Sequence, residues 1–207
     1  IIMLLTGPNG DPIKTFEEKI VWVKGMKGSE RRLAFIRGDL NATRENPAAY
    51  KKHVVPVIQK GDAYTWFHHG LLDVNTGEHG EDPNFTEPTL EALYEATYGV
   101  APSGDFYDAY KLVKSWRDAL QKAFWVNKGN PNKSKLVAAL NKMINDPESV
   151  AAIEKKVGKY EWRTGADGDA AVRTLKSFIT PKALKTLADF KSKQLGYNTV
   201  YKEELTK

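Results

Sequence analysis

The chain has 207 residues, 41% hydrophobic and 28% charged, with a formal net charge of +5 and no cysteine. That length suits one large domain or two small ones and is enough to bury a sizeable core. No apolar run approaches the roughly 18 residues needed to span a bilayer, and disulfides, thiol catalysis and thiolate metal sites are excluded. The lysines are scattered singly among acidic residues, a pattern that reads as a solvated surface, so no nucleic acid partner is expected.

Ile1 to Leu5 is apolar but lacks a basic flank and a cleavage site. It reads as an interrupted strand or helix, and the sequence is expected to begin inside a longer gene product. Turn residues follow (Gly7-Pro8-Asn9-Gly10, Asp11-Pro12), then a short polar segment to residue 19. Ile20 to Val23, β-branched and aromatic, predicts a strand that enters a loop at Gly25. A helix is expected from Ser29, as N-cap, to about Arg37, with Gly38 as its left-handed stop. A short strand at Leu40 to Thr43 then delivers Arg44, Glu45 and Asn46, and Asn46-Pro47 opens a helix to about Ile58 that Pro56 shortens or kinks. Loop, helix, strand, loop, helix is an order that forms ligand pockets in α/β proteins, where loops at strand ends face helix N-termini. The same residues also fit an ordinary helix start and a solvated Arg-Glu turn.

Ala63 to Phe67 is a further strand candidate, followed by His68, His69 and a long loop with a turn at Asn75-Thr76-Gly77. Pro88 is expected to start a helix with Leu90, Leu93, Tyr94 and Thr97 on its apolar face and Gly99 as its stop. After Pro102-Ser103-Gly104-Asp105, a long helix runs to about Phe124 with Phe106, Tyr110, Val113, Trp116 or Arg117, Leu120 and Phe124 near one face. Helices follow at Lys133 to Asn145, Pro147 to Val157, Asp169 to Ile179 and Pro181 to Leu195, with a possible terminal strand at Thr199 to Tyr201. The expected class is α/β: a ligand-binding lobe at 1–125 and a largely helical region at 126–207.

The residues best suited to catalysis are His68 and His69, with Asp73, Glu78, His79 and Asp82 downstream, since imidazole and carboxylate together suit divalent ions. Adjacent histidines on an extended segment point to opposite sides, however, and no His-x-x-x-His pair is present. A metal-dependent hydrolase built on His68, His69 and Asp73 or Glu78 therefore stands as an alternative reading, and a helical interaction module as another. His68 is better placed to give one hydrogen bond at a cleft edge. No nucleophile elbow, Walker loop or dinucleotide fingerprint occurs, and no carboxylate stands in an apolar run that would raise its pKa. Recognition without turnover is expected, with no catalytic residue, metal or cofactor.

The order of motifs resembles the solute-binding receptors of tripartite tricarboxylate transporters. It runs through Met26-Lys27-Gly28-Ser29, Gly38-Asp39-Leu40-Asn41, Arg44-Glu45-Asn46, Lys60-Gly61, Pro83 to Leu90, Val126 to Pro131, Leu140-Asn141 and Asp146-Pro147. The chain departs from the family pattern at Met26, Ser29 and Arg44, where the family has tyrosine, glycine and an aromatic residue. The segment from Gly99 to Lys122 is longer than the family's connection, and only about twenty residues precede the loop where the family has a whole lobe. The resemblance implies a type II periplasmic-binding lobe with its C-terminal helices, a missing N-terminal lobe, a periplasmic location and membrane transporter subunits as partners. It also implies a small organic carboxylate as ligand, held by Lys27, Gly28, Ser29, Arg44, Glu45 and Asn46; His68 joins the expected ligand set from its own place at the cleft edge. In that reading Arg44 pairs with the carboxylate, Glu45 orients a water or accepts from the ligand, and Asn46 either contacts it or caps the next helix.

Overall fold

Five short polar side chains fix where helices begin. Asp11 Oδ1 accepts from the amides of Ile13 (2.8 Å) and Lys14 (3.3 Å), Asn46 Oδ1 from Ala49 (3.0 Å) and Thr89 Oγ1 from Ala92 (3.1 Å). Asp146 Oδ2 accepts from Ser149 (2.9 Å) and Thr180 Oγ1 from Ala183 (3.1 Å). Each satisfies a first-turn N–H that has no partner inside its helix. The structure, a computed structural model, describes residues 1–73, 75–120 and 123–199. Its helices are α1 (Ile2–Thr6), α2 (Pro12–Lys19), α3 (Gly28–Ile36), α4 (Pro47–Ala49), α5 (Val55–Gln59), α6 (Leu90–Tyr98), α7 (Asp105–Leu120), α8 (Lys133–Ile144), α9 (Pro147–Val157), α10 (Gly165–Ser177) and α11 (Pro181–Asp189). A π-turn at Tyr50–Val54 joins α4 to α5, and another at Phe190–Gln194 ends α11.

The protein is mostly helical (55%) with one small two-stranded sheet, so it is α-rich. Its sheet is one antiparallel hairpin, β1 (Leu71–Leu72) with β2 (His79–Gly80), in the register Leu71 to Gly80 and Leu72 to His79. The stretches expected as strands at Ile20 to Val23, Leu40 to Thr43 and Ala63 to Phe67 form no ladder among the described residues. The expected strand at Thr199 to Tyr201 lies outside them beyond Thr199. β-Propensity alone does not make a strand; its amides and carbonyls need a neighbouring chain to pair with. Val21 (92% exposed) and Tyr64 (82%) accordingly face solvent.

The chain divides into two compact units. The first comprises Ile1–Trp22, Phe67–Val126 and the chain from Arg163 onward, and the second Val23–Trp66 and Asn127–Trp162. The division is discontinuous, unlike the expected split into 1–125 and 126–207.

In the first unit, Leu4 of α1 packs with Leu90 and Tyr94 of α6, and Met3, Phe67, Leu93, Tyr98 and Tyr110 close around them. Tyr98 Oη donates to the Leu4 carbonyl (2.5 Å), so α6 holds α1 by a polar as well as an apolar contact. Buried alanines (Ala109 on α7, Ala171 on α10, Ala183 and Ala188 on α11) let α10 and α11 lie close to α7. The buried line of α7 runs through Ala109, Leu112 and Ser115, whereas the expected members Val113 and Trp116 are exposed. Phe190 meets Phe16 and Phe106 edge-on at 5.1 and 5.3 Å. Leu90, Phe106, Tyr110, Val113, Leu187 and Phe190 help line an apolar cavity of about 240 Å³ in this unit.

The second unit holds α3, α4, α5, α8 and α9. Of its described hydrophobic residues only Ala34, 1% exposed, joins the buried core, while Leu33, Ile36, Leu136 and Val137 stand in solvent. Lys27 rather than Ser29 is the N-cap of α3, because Glu30 reaches back from the first turn and accepts from the Lys27 amide (2.9 Å). At the other end Gly38 takes φ +83°, and the amides of Gly38 and Asp39 bond to the carbonyls of Phe35 (3.0 Å) and Ala34 (2.9 Å). This is the Schellman stop that a left-handed glycine allows. Pro56 does distort its helix. It has no N–H for the carbonyl of Lys52, and the turn before it widens so that the Val55 amide reaches the Tyr50 carbonyl.

Candidate functional site

Residues 43 to 46 lie against the first turns of α3 in the second unit. Arg31 donates to the Arg44 carbonyl (2.7 Å), and Glu45 Oε1 receives Arg32 at 3.1 Å and Arg31 at 3.5 Å. The Glu45 side chain is nearly buried (6% exposed), so its carboxylate is balanced by two guanidiniums instead of facing a ligand. Asn46 caps α4. Lys27, Gly28 and Ser29 are exposed at the N-terminus of α3, and Arg44 is exposed beside Glu45. Two buried polar atoms of this unit lack a hydrogen-bond partner, Arg31 Nε and Thr43 Oγ1, and both belong to the segments joined by the Arg31–Arg44 bond. Sequence reasoning missed Arg31 and Arg32. Their doublet sits one turn into the predicted helix, where it could have been read as the counter-charge to Glu45.

Six of the seven expected ligand residues thus belong to one unit, and two of them, Lys27 and Asn46, are helix caps. His68 belongs to the first unit. It is buried there, stacked on Phe85 with ring centroids 5.2 Å apart. Its Nδ1 accepts from the Gly70 amide (2.9 Å), and its Nε2 lies 3.1 Å from Glu81 Oε2. The His69 ring bonds instead to Tyr110 Oη (2.9 Å). The two imidazoles therefore engage different partners, and no group of three or more histidine, aspartate or glutamate side chains among the described residues is arranged to hold a metal ion.

A second cluster, not foreseen, lies in the first unit where one face of α7 meets α6 and the hairpin. Lys114 and Ser115 of α7 are buried outright, and His79 of β2 has a side chain only 2% exposed. Lys114 Nζ lies 3.6 Å from Glu91 Oε1, which also accepts from Tyr107 Oη (3.3 Å). His79 Nε2 lies 3.6 Å from Asp118 Oδ2. His79 Nε2, Glu91 Oε2, Lys114 Nζ, Ser115 Oγ and Asp118 Oδ2 are buried with no hydrogen-bond partner. Burial pushes Asp118 up to about 7, although the cations of Lys114, Arg117 and Arg163 oppose it, and burial lowers Lys114. Burial also lowers His79 to about 3, helped by Lys114, His69 and Lys111. The tyrosines Tyr107 and Tyr110 are held well above their usual range by burial and then by Glu91. The spacing Tyr107, Lys111, Lys114, Asp118 is helical and places these polar groups along one side of α7. That stripe was the available signal, hidden because aromatic residues interleave with it.

Set against known protein families, curated proteins and solved structures, the chain matches none.

Proposed function

We propose that this chain is a receptor component that binds a small organic carboxylate for a tripartite tricarboxylate-type transporter and performs no catalysis. The observation that carries the reading is the junction of residues 43 to 46 with α3. There Arg31 Nε and Thr43 Oγ1 are buried without partners beside an exposed helix N-terminus and the exposed Arg44. A guanidinium N–H and a hydroxyl left unsatisfied are what a carboxylate oxygen, or a water carried with it, would complete. Helix N-terminal amides and an arginine supply the remaining attraction for an anion. Glu45 acts here by holding Arg31 and Arg32 in place, and Asn46 by starting α4; neither needs to touch the ligand.

The order of motifs from Met26 to Pro147 supports the same assignment. So does the exposure of Val21, Tyr64, Phe124 and Trp125, which lie in extended or irregular stretches with large apolar side chains. In this reading Val21 and Tyr64 belong to strand segments of a type II periplasmic-binding lobe. A periplasmic location and docking to membrane transporter subunits follow from the same assignment. The test is calorimetric titration with succinate and citrate, comparing the chain with its Arg44→Ala and Thr43→Val variants. Binding to the unaltered chain that both variants weaken at least several-fold is expected. Absence of binding to either acid, or unchanged affinity in both variants, would refute the receptor reading.

A further inference from the structure

The hairpin of the first unit is fastened at two points. At β1, Arg163 donates to the Leu72 carbonyl (2.7 Å). At β2, His79 is sealed against Asp118 of α7, with the centroid of the Phe178 ring 6.4 Å from its own. We propose that His79 and Asp118 form a buried one-proton pair that docks the hairpin on α7, and that undocking moves the proton from the carboxyl to the imidazole without changing how many protons the pair holds.

Burial and the surrounding charges set the proton's place. Docked, His79 is buried beside the cations Lys114 and Lys111 of α7 and near the His69 ring from the segment before β1, and Asp118 is its facing carboxyl. An imidazolium there would be a further positive charge without water, so the ring stays neutral. Asp118 faces Lys114, Arg117, Arg163 and, unfavourably, Asp82; burial outweighs the cations, and the carboxyl keeps its proton through the acid range. Lys114 in turn faces Glu91 from α6, so its charge is already answered. Once the hairpin lifts and water enters, each group returns to its ordinary behaviour: the carboxylate ionises and the imidazole takes up a proton. One proton is bound before and after, and between about pH 4 and 6.5 the docking equilibrium does not depend on pH. Either residue alone would make the hairpin pH-sensitive, in opposite directions.

Hydrogen exchange at the Asp73 amide, which bonds to the Glu78 carbonyl (2.8 Å), reports opening of the hairpin. After correction for the intrinsic rate, the unaltered chain is expected to show opening that is constant from about pH 4 to 6.5. In Asp118→Asn, opening should rise by up to about tenfold per unit as pH falls below 6.5. In His79→Gln, it should rise by up to about tenfold per unit as pH climbs from 4 to 7, and the double variant should be flat again. Imidazole NMR of the unaltered chain gives a check that needs no variant: the His79 ring should stay neutral down to at least pH 5. A His79 ring that titrates near 6.5, an unaltered chain with the slope of either single variant, or two flat single variants would overturn the proposal.

Discussion

Glu45 shows how one side chain sets local geometry at a distance in sequence. Its carboxylate is shared by Arg31 and Arg32, fourteen and thirteen positions earlier in the chain, and it ties residues 43 to 46 to α3. Glu45→Ala is expected to leave two neighbouring guanidiniums without their acceptor and to lower unfolding free energy by roughly 2 kcal/mol in urea titration. A loss below about 0.5 kcal/mol would mean the pair is solvated like an ordinary surface bridge. Gly70 is constrained differently. It has φ +70°, and an added Cβ would lie 2.1 Å from the Gly80 carbonyl oxygen. Gly70→Ala should therefore cost more than about 1 kcal/mol and separate the hairpin strands, visible as faster exchange at Asp73. Asp118 gives a pH prediction. Burial raises its folded pKa to about 7, above the ordinary carboxylate value, so its contribution to stability is complete below that ordinary value and is lost as pH rises through about 7. Asp118→Asn should accordingly gain stability over the unaltered chain at pH 8 relative to pH 4, measured as a difference in urea midpoints. Asn46 was legible as a cap because the Asn-Pro pair states it locally. The role of Glu45 was not, since its partners are named only once α3 has folded.

Helix boundaries followed from the same local chemistry. Asp146-Pro147, Thr180-Pro181 and the stops at Gly38 and Gly99 were readable because a cap needs only residues three or four apart. Asp11-Pro12 carried the same signal for α2 and was read as turn alone. Thr89→Ala, which removes the buried cap of α6, should lower stability by about 1 kcal/mol in thermal or urea unfolding, and an unchanged midpoint would show that α6 is held by packing alone. Strands were the harder problem. Val21-Trp22-Val23 and Tyr64-Thr65-Trp66 have the composition of strands, but ladder formation depends on a partner that lies elsewhere in sequence. Conversely, the hairpin has only two residues per strand, too few for alternation to announce it, although Asn75-Thr76-Gly77 marked its turn. On α7 the aromatic periodicity was present, yet the buried face lies where alanines admit α10 and α11. Periodicity gives a period, and the neighbours decide which side is covered.

As a molecule, the chain puts most of its buried apolar residues in one unit, while the other exposes Leu33, Ile36, Leu136 and Val137. The buried cluster on α7 shows why charge was a poor guide at this scale: a scattered positive surface said nothing about the Lys114–Glu91 and His79–Asp118 pairs inside. In the proposed function the N-terminus of α3 and Arg44 grip a carboxylate. The most direct test of that grip is a citrate titration of the chain followed through the backbone amide resonances of Lys27, Gly28 and Ser29. Saturable shifts at those three amides and at Arg44, larger than anywhere in α7, are the predicted result; amides that stay fixed at saturating citrate would contradict the account.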